Sequence, residues 1–124
     1  MIDLNEVEKI HEILIERFGG AKGIRDKGLL ESSISRPFQT FDGQELYPHV
    51  FDKAAAIFES LITNHPFIDG NKRTAYVLMR LFLKNNQFYI YSNEEEKYQF
   101  VIQAASGELK FDQIKSWIEK NTKK

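Results

Sequence analysis

The sequence predicts an all-α fold: a single compact bundle of about six helices with one short flap, spanning residues 1–124. Apolar residues recur at helical spacing in successive stretches, and N-cap residues, glycines and prolines separate those stretches. The 124 residues are 42% hydrophobic and 28% charged, and they contain no internal repeat, low-complexity tract or linker. These observations predict one domain.

The first two helices have recognisable start and stop signals. Asn5 followed by Glu8 predicts an N-cap with a capping box, and the apolar pattern then runs to the glycine at Gly19. Asp26 is predicted to cap a shorter helix. That helix should end before Pro37, because the residue before a proline avoids helical geometry.

The segment Pro37–Pro48 contains the turn dipeptide Asp42-Gly43 between apolar residues. This pattern predicts a small hairpin or an extended flap.

The next two helices follow directly along the chain. Val50–Asn64 has an apolar face at helical spacing, and Pro66 limits its length. Asn71–Asn86 is apolar nearly all round, which predicts that this is the central helix, buried by neighbours on most sides.

The last third of the chain begins with a strand-like run at Phe88–Tyr91. Ser92 or Asn93 should then cap a helix that ends at Gly107. Its predicted buried face consists of Tyr98, Val101, Ile102 and Ala105. A final helix carries the apolar residues Phe111, Ile114, Trp117 and Ile118.

Composition excludes several classes of protein and site. The chain has no cysteine, which excludes a disulfide scaffold, a thiol nucleophile and a thiolate zinc site, and agrees with a cytoplasmic location. The apolar runs are short and Met1-Ile2-Asp3 does not open a signal peptide, so we expect no membrane contact. With a formal net charge of −1, we also expect no direct nucleic-acid binding.

The residues that carry chemistry are concentrated in HPFIDGNKRTA, at the joint between the third and fourth helices. Free N–H groups at a helix start form an anion site, and Lys72 and Arg73 add positive charge. Asp69 offers one hard oxygen ligand, which suits magnesium shared with phosphate oxygens. His65 can accept a proton from an attacking hydroxyl. The pattern predicts phosphoryl or nucleotidyl transfer.

Other interpretations of single residues stay open at this point. Asp69 or Asn71 could be a helix N-cap instead of a ligand. Arg25 could form an ion pair with Glu31 or belong to the active site. His11 is expected to be structural or on the surface, because no carboxylate or histidine lies at ligand spacing from it.

At this stretch the sequence resembles the Fic/Doc family, whose motif reads His-x-Phe-x-Asp/Glu-Gly-Asn-x-Arg-x-x-Arg. The matching positions are His65, Phe67, Asp69, Gly70, Asn71 and Arg73. The resemblance reaches back to the run from Gly23 to Ser32 and to Arg36-Pro37. It is closest to the death-on-curing (Doc) toxins of type II toxin–antitoxin systems, which also have lysine at the position of Lys72.

The resemblance implies a role for each matching residue. His65 would be the general base and Asp69 the Mg²⁺ ligand. The phosphates of ATP would be bound by Gly70, Asn71, Lys72 and Arg73. The flap would align the target protein through main-chain pairing.

One departure from the motif bears on the reaction. The second arginine, which AMP-transferring members use to hold the far phosphates, is replaced by Tyr76. The Doc toxins also lack it, and resemblance to them implies transfer of the γ-phosphate of ATP to a threonine of elongation factor Tu, which halts translation. Gly70 stands where the best-known such toxin has alanine, which keeps AMP transfer as an alternative. A catalytically silent module that binds a phosphate or a partner is a further alternative.

The resemblance also bears on regulation. Ser92 to Glu96 approaches the inhibitory helix motif of many members, but Lys97 breaks its last position. A cognate antitoxin is therefore expected, with a disordered tail that folds as a helix into an apolar groove in the bacterial cytoplasm.

Overall fold

The computed structural model describes residues 2–124 and confirms the all-α fold. Its six helices are α1 (Leu4–Phe18), α2 (Lys27–Ser35), α3 (Val50–Asn64), α4 (Asn71–Asn85), α5 (Glu94–Ala105) and α6 (Phe111–Asn121). A 3₁₀ turn covers Arg36–Phe38. Two-residue strands are β1 (Thr40–Phe41), β2 (Gln44–Glu45), β3 (Tyr89–Ile90) and β4 (Thr122–Lys123).

Helix α1 begins earlier than predicted. Its N-cap is Asp3, whose carboxylate accepts a 2.8 Å hydrogen bond from the amide of Asn5. The prediction of a cap at Asn5 was wrong because aspartate caps equally well, and a start at Leu4 brings that apolar residue against the core. The predicted end is confirmed, since Gly19 follows the helix with a φ of +89°.

Helix α2 and the flap follow their predictions. The carboxylate of Asp26 accepts from the amide of Leu29 at 3.0 Å, and the helix ends before Arg36. Strands β1 and β2 pair antiparallel across Asp42 and Gly43, which both have positive φ. That geometry is the two-residue turn whose twist matches a hairpin.

Arg36 attaches the base of the flap to α3. Its guanidinium pairs with Glu59 at 2.9 Å and donates to the hydroxyl oxygens of Tyr47 and Ser60, both also at 2.9 Å. The flap therefore extends from a fixed base next to the third helix.

The central helix is α3, not α4. Eight of its residues are buried, and it packs against α2, α4, α5 and α6. The prediction for α4 was wrong because Arg80, Leu81 and Lys84 are exposed along it. The three alanines Ala54, Ala55 and Ala56 let neighbouring helices approach α3 closely.

Helix α5 buries a different face from the one predicted. Phe100 is buried between the rings of Phe58, at 4.9 Å, and Trp117, at 3.9 Å. Tyr98, which was predicted to be buried, is 60% exposed. The N-cap is Asn93, whose side chain accepts from the amide of Glu96.

The strand-like run after α4 has a partner that was not predicted. Strand β3 pairs antiparallel with β4, so that Tyr89 lies opposite Lys123. Residues 122 and 123 therefore lie beside the segment that follows α4. Between residues 2 and 124, no helix combines the length and the apolar character needed to cross a membrane.

Candidate active site

His65 lies where α3 ends, in a left-handed backbone conformation with φ 48° and ψ 57°. Its ring is exposed, and Nδ1 lies 3.1 Å from the carbonyl oxygen of Thr63. Because a carbonyl oxygen only accepts, Nδ1 carries the hydrogen of that bond. In the neutral ring, Nε2 is then left with a free lone pair. This is the arrangement that a general base requires.

The segment before α2 holds the loop that follows His65. The main-chain amides of Arg25 and Asp26 both donate to the carbonyl of Pro66, at 2.7 and 3.0 Å. Two residues on, the amide of Ile68 donates to the carbonyl of Gly23 at 3.1 Å. These bonds place the start of the run from Gly23 to Ser32, which shares the family resemblance, against the motif.

Arg25 resolves an alternative that the sequence left open. Its side chain donates to the carbonyls of Asn64 and His65, each at 2.7 Å. Within residues 2–124, Arg25 and Glu31 do not form an ion pair. The guanidinium therefore acts on the main chain around His65.

His11 supports the loop from α1. Its ring is buried and stacks on Phe67, and its Nε2 donates to the main-chain carbonyl of Asp69. The expectation of a structural histidine fits this position, but sequence reasoning missed its link to the site. A signal was present: Val7, His11 and Ile15 recur every four residues on the buried face of α1.

Asp69 has an exposed carboxylate with both oxygens oriented by main-chain donors. Oδ2 accepts from the amide of Ala21 at 3.1 Å, and Oδ1 accepts from the amide of Gly70 at 2.9 Å. The amide of Ala21 and then that of Gly70 hold the pKa of this carboxyl below its usual range. Asp69 is therefore ionised at neutral pH, and each oxygen keeps lone pairs for a cation.

Gly70 is the N-cap of helix α4 and has a φ of +76°. In the part of the chain from residue 2 onward, no side chain caps this helix start. The first helical bond runs from the amide of Thr74 to the carbonyl of Gly70. The amides of Asn71, Lys72 and Arg73 thus have no intrahelical acceptor, and they form the positive end of the helix.

Asn71 has a structural use that limits its predicted role. Its Oδ1 accepts from the amide of Phe67 and its Nδ2 donates to the carbonyl of Phe67, both at 2.9 Å. Both ends of the carboxamide are thus bonded to the main chain of Phe67. Phosphate binding by Asn71 stays a prediction, in which the backbone N–H and not the side chain would contact the phosphate.

One cleft brings the predicted residues together. It has a volume of about 390 Å³ and is lined by His65, Ile68, Asp69, Gly70, Asn71, Lys72 and Arg73. Lys72 and Arg73 are exposed at its edge, and the guanidinium of Arg73 lies 4.4 Å from the ring centre of Phe18. A histidine, a carboxylate and a helix start with two cationic side chains therefore share one surface.

Tyr76 lies beside a second cleft of about 350 Å³, which also borders Lys72 and Arg73. Burial raises the pKa of its phenol, so the hydroxyl is protonated at neutral pH. Within the described residues, this enclosed hydroxyl has no hydrogen-bond partner. The position of the second arginine therefore carries no positive charge.

The carboxylate of Asp69 fits a cation that is shared with a substrate. In residues 2–124, no three His, Asp or Glu side chains gather closely enough to hold a metal ion alone. A single ionised carboxylate beside an anion site suits Mg²⁺, which keeps several of its ligands from water and phosphate.

Comparison with known proteins agrees with the geometry. The sequence pattern described as the Fic/DOC family matches residues 1–83, which include the motif and most of α4. "Toxin Doc" of Mycolicibacterium smegmatis is 48% identical over 69 residues, covering 56% of this chain and 53% of that protein. The chain thus spans about half the length of this relative. "Protein kinase doc" of Escherichia phage P1 is 30% identical over 113 residues, covering 91% of this chain and 88% of that protein. This chain therefore belongs to the Fic/Doc family.

Proposed function

We propose that this protein is the toxin of a toxin–antitoxin system and transfers the γ-phosphate of ATP to a protein hydroxyl. One observation carries the proposal: His65, with Nε2 free, lines the same cleft as Asp69 and the uncapped start of α4. The printed names of the two relatives, a toxin and a protein kinase, support the same class of activity.

His65 would remove the proton of the attacking hydroxyl. Its Nδ1–H is held by the carbonyl of Thr63, so Nε2 is the nitrogen that accepts the proton. The hydroxyl oxygen then bonds to the γ-phosphorus of ATP as the bond to the ADP oxygen breaks. No covalent enzyme intermediate is needed for this step.

The start of α4 would bind the phosphates. The free amides of Asn71, Lys72 and Arg73 and the side chains of Lys72 and Arg73 stabilise negative charge that builds up during transfer. Asp69 would hold Mg²⁺, which neutralises phosphate charge when bound.

The absence of a cation at Tyr76 favours phosphoryl over AMP transfer. In the AMP-transferring members that the sequence resembles, the second arginine holds the far phosphates, whereas the protonated Tyr76 hydroxyl is neutral. Arg80 lies one helical turn beyond Tyr76, about 6 Å further along the axis, and does not replace that charge.

We assign a threonine of elongation factor Tu as the target, on the basis of the resemblance to the Doc toxins. The hairpin β1–β2 leaves exposed main chain on which a target segment could add as a strand. The cognate antitoxin would cover an apolar groove with a helix formed by its tail. One such groove, of about 270 Å³, lies between α1 and α4 and includes Ile10, Leu81 and Phe82.

Labelled nucleotide tests the class of reaction without assuming a target. Bacterial lysate is incubated with the protein, Mg²⁺ and ATP labelled at either the γ- or the α-phosphate, with His65→Ala as the blank. Label transferred to protein from the γ-position alone supports the proposal. Label from the α-position supports AMP transfer instead, and no transfer from either supports a silent binding module.

A further inference from the structure

We infer that Arg25 is a positioning residue for His65, and this inference rests on the proposed function. Its guanidinium fixes the left-handed turn at the end of α3 and thereby sets the direction of the imidazole. Arg25 lies outside the cleft residues and is not expected to touch ATP.

The backbone of His65 needs external support. Its φ of 48° and ψ of 57° place it in the left-handed region, where the β-carbon of an L-residue is crowded by the following carbonyl. A non-glycine residue keeps such a conformation only when its surroundings determine it. Contacts with neighbouring residues must therefore hold His65 in this conformation.

Three consecutive carbonyls in this turn are held by one dipeptide. The carbonyls of Asn64 and His65 accept from Nη2 and Nε of Arg25, both at 2.7 Å. The carbonyl of Pro66 accepts from the main-chain amides of Arg25 and Asp26. The last carbonyls of a helix have no intrahelical donor, so these bonds complete the end of α3.

The side-chain bonds and the main-chain bonds have separable effects. A substitution at Arg25 removes the donors to Asn64 and His65 but leaves the amides that bind Pro66. The loop therefore remains attached, and the protein is expected to fold. What is lost is control over the orientation of His65.

The location of these contacts predicts which kinetic constant changes. The side chain of Arg25 contacts the main chain at residues 64 and 65, whereas the predicted phosphate site begins at Gly70. A displaced base slows the chemical step, because a shift of about 1 Å in a reacting group costs about 100-fold in rate. ATP binding should be unaffected.

The kinetic test compares Arg25→Gln with Arg17→Gln, which alters an exposed arginine at the end of α1. We expect Arg25→Gln to lower kcat about 10- to 100-fold with KM for ATP within about twofold. Arg25→Lys retains one donor and the charge, and it should restore part of kcat. Arg17→Gln should leave both constants unchanged.

A second readout does not depend on activity. Nitrogen-15 NMR of the His65 ring in the wild type should show the neutral ring protonated at Nδ1, because Thr63 accepts from it. In Arg25→Gln the signals should move toward a mixture of both tautomers, while calorimetry shows unchanged binding of Mg²⁺ and ADP. If the wild type transfers nothing, the proposed function fails, and these two measurements still decide the role of Arg25.

The inference is overturned if Arg25→Gln keeps the wild-type ring signals. It is also overturned if kcat falls only together with a matching rise in KM or a loss of folded protein. The first result would show that the ring does not depend on Arg25, and the second that Arg25 serves the fold as a whole.

Discussion

The imidazole of His11 lies flat against the ring of Phe67, with the ring centres 3.8 Å apart, and its Nε2 lies 2.8 Å from the carbonyl oxygen of Asp69. Through these two contacts, helix α1 supports the loop between His65 and Gly70. A side chain 58 positions away from Asp69 in the sequence thus holds the main chain of Asp69.

Substitutions at His11 should separate the stacking from the hydrogen bond. His11→Phe preserves an aromatic ring beside Phe67 but leaves the carbonyl of Asp69 without its donor, and we expect a loss of about 1–2 kcal/mol in the free energy of unfolding. His11→Ala also leaves a cavity and should lose about 3 kcal/mol. Urea denaturation measures the free energy of unfolding of both variants. Equal stability of the two would argue against a stacking contribution.

Gly20 should be required for the position of Asp69. A β-carbon at Gly20 would lie 2.8 Å from Oδ2 of Asp69, whereas one at Gly19 would meet nothing within 4 Å. Both glycines have positive φ, so Gly19→Ala is a matched control for backbone strain, with an expected cost of about 1 kcal/mol. Only Gly20→Ala should raise the Mg²⁺ concentration for half-maximal transfer. An equal Mg²⁺ requirement in both variants would contradict this role for Asp69.

Lys72 should contribute to ATP binding through its charge at the start of α4. We expect Lys72→Ala to raise KM for ATP about tenfold, since a charged hydrogen bond to phosphate is lost. Lys84→Ala removes an exposed lysine three turns along the same helix and should leave KM unchanged. Steady-state kinetics at fixed Mg²⁺ distinguish the two. A similar change in both would indicate a general effect of charge.

The carboxyl of Asp69 should make stability depend on pH. The amides of Ala21 and Gly70 hold its folded-state pKa below the unfolded value, so its contribution is complete above the usual carboxyl range, about pH 4. That contribution is lost as the pH falls through the lowered folded-state pKa. Urea denaturation between pH 6 and pH 3 should show that the free energy of unfolding falls less for Asp69→Asn than for the wild type as the pH is lowered. Parallel curves would contradict the two hydrogen bonds.

Local signals in the sequence were sufficient for most helix ends. Asp26 caps α2 as expected, Val50–Asn64 is helical over its predicted length, and Asp42-Gly43 makes the hairpin turn. These features depend on residues within a few positions of one another. The predicted site residues His65, Asp69, Gly70, Asn71, Lys72 and Arg73 also line one cleft because they flank a single helix start.

Long-range features were not predictable in the same way. Apolar periodicity shows which face of a helix is buried, but not how many neighbours surround it, so the sequence predicts α4 as the central helix instead of α3. The role of Arg25 was hidden because its partners are main-chain carbonyls, which leave no trace in residue identity. The same holds for His11 and the carbonyl of Asp69.

The most direct test of the proposed phosphoryl transfer, with His65 as the general base, is the intact mass of purified elongation factor Tu after incubation with this protein, Mg²⁺ and ATP. We predict a gain of about 80 Da, one phosphoryl group, with no gain when His65→Ala replaces the wild type. A gain of about 329 Da, one AMP, would contradict the proposed reaction. An unchanged mass would contradict the assignment of elongation factor Tu as the target.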